Sequence, residues 1–272
     1  MFNNFGWVFE YWWVWLLTPP LFIFARLALL YIRAPIYLYR GYKLVDPSPI
    51  RYLDGDDELP QVVRVYFHDA CEVLAQLGFE RYAICQFSDT GHLRSFATYL
   101  VRHGSSDGVV VALTHVINDD GNVTATDEFI AFGTRFRDGT TVHTNNSHVI
   151  GALRERPSSR VVQFIDCYDP RELYRRHWEI CKRLNQGPRI WRLDDEFRGN
   201  VSECLQTLAC REPNDYQVEC GLLRRVNNAY RPTIYGACVL AWQEMFPWRH
   251  FRIISRQNEA KRWLKVIRAG SG

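Results

Sequence analysis

Five runs decide the fold: RYAICQF (81–87), LRSFATYLVR (93–102), VVVALTHVI (109–117), TATDEFIAFGTRF (124–136) and TTVHT (140–144). They are rich in β-branched and aromatic residues. Apolar and polar positions tend to alternate, the two-residue period of a strand with one face buried. Between them lie 88–91, 104–108, 118–122 and 137–139, short segments built on Asp, Gly, Asn and Ser. Connections of that kind turn a chain back beside itself, so the pattern predicts an antiparallel meander. A sixth strand is expected over Arg160–Ile165.

Helices bracket these strands. Val63, Phe67, Ala70, Val73 or Leu74, and Leu77 recur at helical spacing, and Gly78 supplies a stop. Asp169-Pro170 opens a second amphipathic helix through Leu184 that ends at Gly187. Residues 59–187 therefore read as an α+β module, an antiparallel sheet flanked by helices. Such a layout serves sensory, ligand-binding and adaptor domains alike and does not choose among them.

The N-terminus is of another character. Residues 11–32, YWWVWLLTPPLFIFARLALLYI, carry one charge, Arg26. About 20 apolar residues suffice to span a bilayer, so an N-terminal membrane helix is expected. Thr18-Pro19-Pro20 complicates it. The prolines either kink the span or divide it into two pieces that form a shallow hairpin or lie in the interface. An interfacial anchor and a buried soluble segment are the other readings. No basic stretch precedes the apolar run and no small-residue site follows it, which speaks against a cleaved signal peptide. Arg33, Arg40, Lys43 and Arg51 follow the run and only Glu10 precedes it, so the main body is expected on the cytoplasmic side. Residues 1–43 are thus read as a membrane anchor. Residues 44–58, with Pro47, Pro49 and an acidic run at Asp54–Glu58, are read as a linker.

Residues 188–248 read as a helical region with a small hairpin. Asp194 and Asp195 cap a helix to Cys210, and Pro213 begins another ending near Gly221. Then GLLRRVNNAYRPTIYG (221–236) places Asn227-Asn228 at a tight turn. Two helices followed by a hairpin between "GLLRR" and "YRPTIYG" resemble the end of a winged-helix domain, over residues 197–240. That resemblance implies a DNA-reading helix and a β-wing, hence a membrane-bound regulator. Pro232 and the lack of a basic recognition helix depart from the family pattern, and no nucleic-acid partner is expected. Ile234–Phe246 is apolar but too short to span.

The tail, 249–272, is basic. From Arg249 to Arg268 seven basic residues face one acidic residue, Glu259, a local charge of +6. Interleaved aromatic and aliphatic residues make it a candidate amphipathic helix on an anionic membrane surface. The contact residues would be Trp248, Arg249, Arg252, Arg256, Lys261, Arg262, Trp263, Lys265 and Arg268. The plainer reading is a solvated basic helix packed on the module.

Apolar residues at 47% and charged residues at 23% exclude a mainly disordered chain, and a net charge of +3 is too small to imply nucleic acid by itself. Eight cysteines show no C-x-x-C spacing, so neither a zinc site nor a thioredoxin-like pair is indicated, and a reducing compartment is expected. His68, Asp69, Cys71 and Glu72 share about one helical turn, but nothing supplies an oxyanion hole. Asp166, Asp169 and Glu172 are close in sequence, with Asp169 more simply a helix cap. His92, His103 and His115 read as ordinary surface or strand residues. The densest polar cluster contains His143, Thr144, Asn145, Asn146 and His148, a candidate site for a small ligand or, alternatively, for an enzyme built on the central sheet. No catalytic, metal or cofactor motif stands out. The sequence reading is therefore a membrane-tethered, non-enzymatic module that binds a small ligand, a lipid headgroup or a protein partner.

Overall fold

A computed structural model describes residues 12–45, 50–89, 93–102, 107–117, 123–149, 154–184, 189–190 and 200–269. At its centre is a twisted sheet of seven strands in sequential order: β2 (Arg51–Leu53), β3 (Glu80–Asp89), β4 (Leu93–Arg102), β5 (Asp107–Ile117), β6 (Val123–Phe136), β7 (Thr141–Asn145) and β8 (Ser159–Gln163). A two-residue strand, β9 (Arg189–Ile190), pairs with the end of β6. All neighbours run antiparallel except β7 and β8, which are parallel, with Thr141 opposite Ser159. The expected meander is present from β3 to β7. The further strand expected over 160–165 is β8, and it lies parallel to β7, because the connection between them is long enough to cross over instead of turning back.

Alternation sorts the strand residues onto two faces. Val109, Val111, Leu113, Ile130, Phe132 and Val142 point to the main core, with Phe96 and Leu100. Helix α2 (Gln61–Gln76) covers that face with Val63, Phe67, Ala70 and Leu74. Helix α3 (Pro170–Leu184) covers it with Leu173, Tyr174, His177, Ile180 and Cys181. Those positions form one stripe at helical spacing, while Arg171, Arg175 and Lys182 take the outer side. Each large apolar side chain fully buried here contributes about 1.5–3 kcal/mol. The opposite face is smaller: Cys85, Ala97, Tyr99, Val101 and Ala112 meet Leu205. Burial pushes the Cys85 thiol up to about 12.

The C-terminal third adds α4 (Val201–Gln206), a π-helical turn at Thr207–Arg211 and α5 (Glu212–Glu219). Asn200 caps α4 by accepting from the Glu203 amide at 3.1 Å. Asp194 and Asp195, expected to cap it, lie outside the described residues. The hairpin of β10 (Leu223–Arg225) and β11 (Ala229–Pro232) turns at Asn227, whose φ of 54° suits Asn. A third strand, β1 (Leu44–Val45), joins the hairpin from within the expected linker.

Helices α6 (Ile234–Gln243) and α7 (Trp248–Ala269) complete the chain. Gly236 presses on the preceding hairpin so closely that a Cβ there would lie 1.7 Å from the Leu222 carbonyl oxygen.

The N-terminal segment departs from expectation in two ways. Helix α1 (Trp12–Gly41) runs through Pro19 and Pro20 without dividing. Proline's fixed φ is compatible with helix, and the pair costs two amide donors. Among the described residues no helix is long and apolar enough to cross a membrane, so the N-terminal spanning helix is not supported. Its second half is engaged with the rest of the protein. Pro35 is buried, and Leu38 and Tyr42 pack on Leu223, Tyr230 and Leu240, so α1 is joined to the C-terminal helices.

Candidate functional site

The cluster at 143–148 does not converge. Strand alternation sends Thr144 and Asn146 into the core and His143 and Asn145 to the other face. Asn146 accepts from the Ile130 amide at 2.7 Å and donates to the Cys167 carbonyl at 3.1 Å. Asn145 accepts from the Ser147 amide, Ser147 donates to Asp127, and His148 is exposed. These polar groups tie β6, β7 and the chain before α3 to one another.

Thr144 belongs to a buried network that the sequence did not reveal. The Thr134 hydroxyl donates to Asp107 Oδ1 (2.5 Å), and its oxygen faces His177 Nε2 at 2.9 Å. His177 Nδ1 meets the Thr144 hydroxyl at 3.0 Å. With the Thr134 hydroxyl proton committed to Asp107, His177 Nε2 donates to the Thr134 oxygen. Tyr174 donates to Asp107 Oδ2 at 2.9 Å, and Arg102 donates to the Tyr174 oxygen at 2.8 Å. Cys181 Sγ lies 3.6 Å from His177 Nε2. An acid, an imidazole and a thiol so close would suggest nucleophilic chemistry in an open site. Here Asp107, His177 and Cys181 are all buried beneath α3, out of reach of a substrate. The network instead seats α3 on β5, β6 and β7. The His68–Cys71 pairing does not form a site either: His68 is exposed, and burial raises the Cys71 thiol. Among the described residues no group of His, Cys, Asp or Glu is placed to hold a metal ion.

What the surface does present is apolar and basic. Helix α1 lies along α6, held where the Trp242 indole donates to the Tyr31 carbonyl (3.0 Å) and the Tyr31 hydroxyl donates to the Phe246 carbonyl. At about 100° per residue, Leu21, Leu29, Ile32 and Ile36 fall within an arc of about 80°, while Leu27 and Leu30, also exposed, lie on other sides of the helix. All four are exposed, Ile32 by 60%. Arg26, Arg33 and Arg40 recur every seventh residue beside that stripe. On α6, α7 and the chain between them Trp242, Phe246 (78%), Trp248 (53%), Phe251 and Ile254 are exposed as well. Between α6 and α7 a groove of about 500 Å³ is lined by Val239, Trp242, Trp248, Phe251, Arg252 and Ser255. A groove lined by exposed aromatic side chains suits a contact site.

Helix α7 divides the basic candidates. Arg252 pairs with Glu244 at 3.4 Å. Arg256 pairs with Glu155 and Glu259 and donates to the Val161 carbonyl, covering the outer edge of β8. Trp263 is half-buried against the main core, beside Leu264. Lys261, Arg262, Lys265 and Arg268 are exposed and line a second groove of about 440 Å³ with Asn258 and Leu264. Trp248 and Arg249 are exposed at the start of the helix. At about 100° per residue, Trp248, Phe251, Ile254, Lys261, Arg262, Lys265 and Arg268 share one outward arc of about 160°. The sequence reading named the basic residues but missed the α1 stripe. The seven-residue spacing of its arginines was the available signal.

Helix α5, which the winged-helix resemblance would place against DNA, carries Glu212, Asp215 and Glu219. That charge repels phosphate. Compared with protein-family models, with curated proteins and with solved structures, the chain matches none.

Proposed function

We propose that this protein is a non-enzymatic module that lies on a membrane surface, held by α1 and by the α6–α7 corner. The observation that carries the reading is the set of exposed apolar residues Leu21, Leu29, Ile32 and Ile36 beside Arg26, Arg33 and Arg40 on α1, together with exposed Trp242, Trp248 and Phe251 on the helices that α1 adjoins. An interfacial helix buries its apolar side in the acyl boundary while arginine heads remain among the headgroups. Tryptophans favour that same depth because one edge is apolar and the N–H is polar. The basic outer side of α7 suits an anionic leaflet, which faces the cytoplasm. The sheet then stands away from the bilayer as the part available to a ligand or partner.

Flotation of the full chain with phosphatidylcholine–phosphatidylserine vesicles tests this. The wild type floats and is released by carbonate, as a surface-held protein is. Ile32→Asp/Phe251→Asp lowers the bound fraction at least tenfold while leaving the thermal transition in place, since both residues are solvent-exposed. A double variant that floats like the wild type contradicts the reading.

A further inference from the structure

We infer that the groove along the outer side of α7 is a headgroup site for a multiply phosphorylated phospholipid. The inference rests on the membrane-surface reading and adds to it a choice of lipid.

Two observations carry it. The first is charge left uncompensated. Arg252 and Arg256, earlier on the same helix, are held by Glu244, Glu155 and Glu259. Lys261, Arg262, Lys265 and Arg268 have no acidic partner among the described residues. Yet these four cations line a single groove of about 440 Å³. Like charges at this spacing on one helix repel by about 0.2–0.5 kcal/mol per pair, and an anion lying between them turns that repulsion into attraction. The underside of this half of α7 is fixed: Ala260 and Ile267 are buried in the main core, and Arg183 donates to the Ile267 carbonyl at 3.4 Å. The basic side therefore cannot turn to find partners elsewhere.

The second observation is direction. Lys261 to Arg268 rises by about 10 Å along the helix. That length matches one headgroup bearing several phosphates, whose guanidinium partners bind bidentately and whose lysine partners act as point charges. The groove shares its outward arc with Trp248, Phe251 and Ile254. An anion bound there lies level with the inserted aromatic residues, at the depth of a lipid headgroup. That placement selects a lipid over a free polyphosphate.

The test measures binding of the full chain to three vesicles: phosphatidylcholine alone, and phosphatidylcholine carrying either phosphatidylserine or phosphatidylinositol bisphosphate at equal total negative charge. We expect the bisphosphate vesicles to bind at least tenfold more tightly than the charge-matched phosphatidylserine vesicles. Lys261→Gln/Arg262→Gln/Lys265→Gln/Arg268→Gln should abolish that difference and leave binding to phosphatidylcholine intact. Equal binding to the two charged vesicles overturns the headgroup site while leaving surface attachment standing. So does a quadruple variant that keeps the preference. Failure to bind any vesicle overturns both. Soluble inositol trisphosphate that binds as tightly as the bisphosphate vesicles overturns the lipid assignment.

Discussion

His115 stacks on Phe96 with ring centroids 5.5 Å apart, is 1% exposed, and offers two ring nitrogens that meet no hydrogen-bond partner among the described residues. Burial, reinforced by Arg94, lowers its pKa below the ordinary 6.5. A histidine so shifted binds its proton more readily when unfolded. Its neutral form is accommodated above about pH 6.5, and stability falls as pH drops through that value toward the lower folded one. His115→Leu should remove this acid-side loss and raise stability near neutrality by about 1 kcal/mol, since an unsatisfied buried polar group is replaced by an apolar one. Urea unfolding across pH 5–8 checks it, and an unchanged pH profile would contradict it. Strand alternation through Val109, Val111 and Leu113 already pointed His115 inward. Its polar identity is what made it read as a surface or strand residue. Gly236 is a second case at this scale. With the Leu222 carbonyl where its Cβ would go, Gly236→Ala should cost about 3 kcal/mol by forcing α6 off the hairpin, read as a lowered thermal midpoint.

Among elements, α3 was the most legible. Its span, its Asp169–Pro170 start and its apolar stripe follow from local signals, and Asp169 Oδ1 accepts from the Arg171 amide at 3.0 Å. Glu172 in its first turn is held down to about 2, by the Arg175 hydrogen bond first and by Arg176 next, against the opposing effect of burial. What local signals could not reveal was why a histidine sits on the buried stripe, because its partners Thr134 and Thr144 are far away in sequence. Thr134→Val should cost about 2 kcal/mol, since it removes the buried hydroxyl that donates to Asp107 and faces His177. The companion Thr134→Ser, which retains the hydroxyl, should cost less than half as much. Equal losses would show that the methyl, not the network, is what matters. For α1 the apolar run was legible but its disposition was not. The stretch 11–32 has the composition of a span, and only tertiary contact through Tyr31, Leu38 and Tyr42 shows the helix continuing to Gly41 along α6. The parallel pairing of β8 was hidden for a similar reason, since strand sense depends on the path of the connection.

For the whole molecule, the structure separates a sheet stabilised by its own core from a helical edge with an unfinished surface. The sheet and the helix that covers it satisfy their polar groups on each other: Asn146 bonds to the chain before α3, and Asp107 and Thr134 meet Tyr174 and His177 of α3. The helical edge leaves Ile32, Phe246 and Trp248 open and Lys261, Arg262, Lys265 and Arg268 without acidic partners among the described residues. Raised salt should therefore act unevenly. It should weaken attachment to anionic vesicles steeply through the four cations, yet hardly change the unfolding midpoint, which rests on buried apolar area. A thermal midpoint that falls in step with vesicle release would contradict that separation. The central claim is that α1 and the outward side of α7 together form the membrane-contacting surface. Hydrogen–deuterium exchange of the full chain, with and without phosphatidylcholine–phosphatidylserine vesicles, tests it most directly. The account predicts slowed exchange in peptides covering 21–37 and 242–268 and no change in β4, β5 or β6. Slowing confined to the sheet, or none anywhere in the chain, would contradict it.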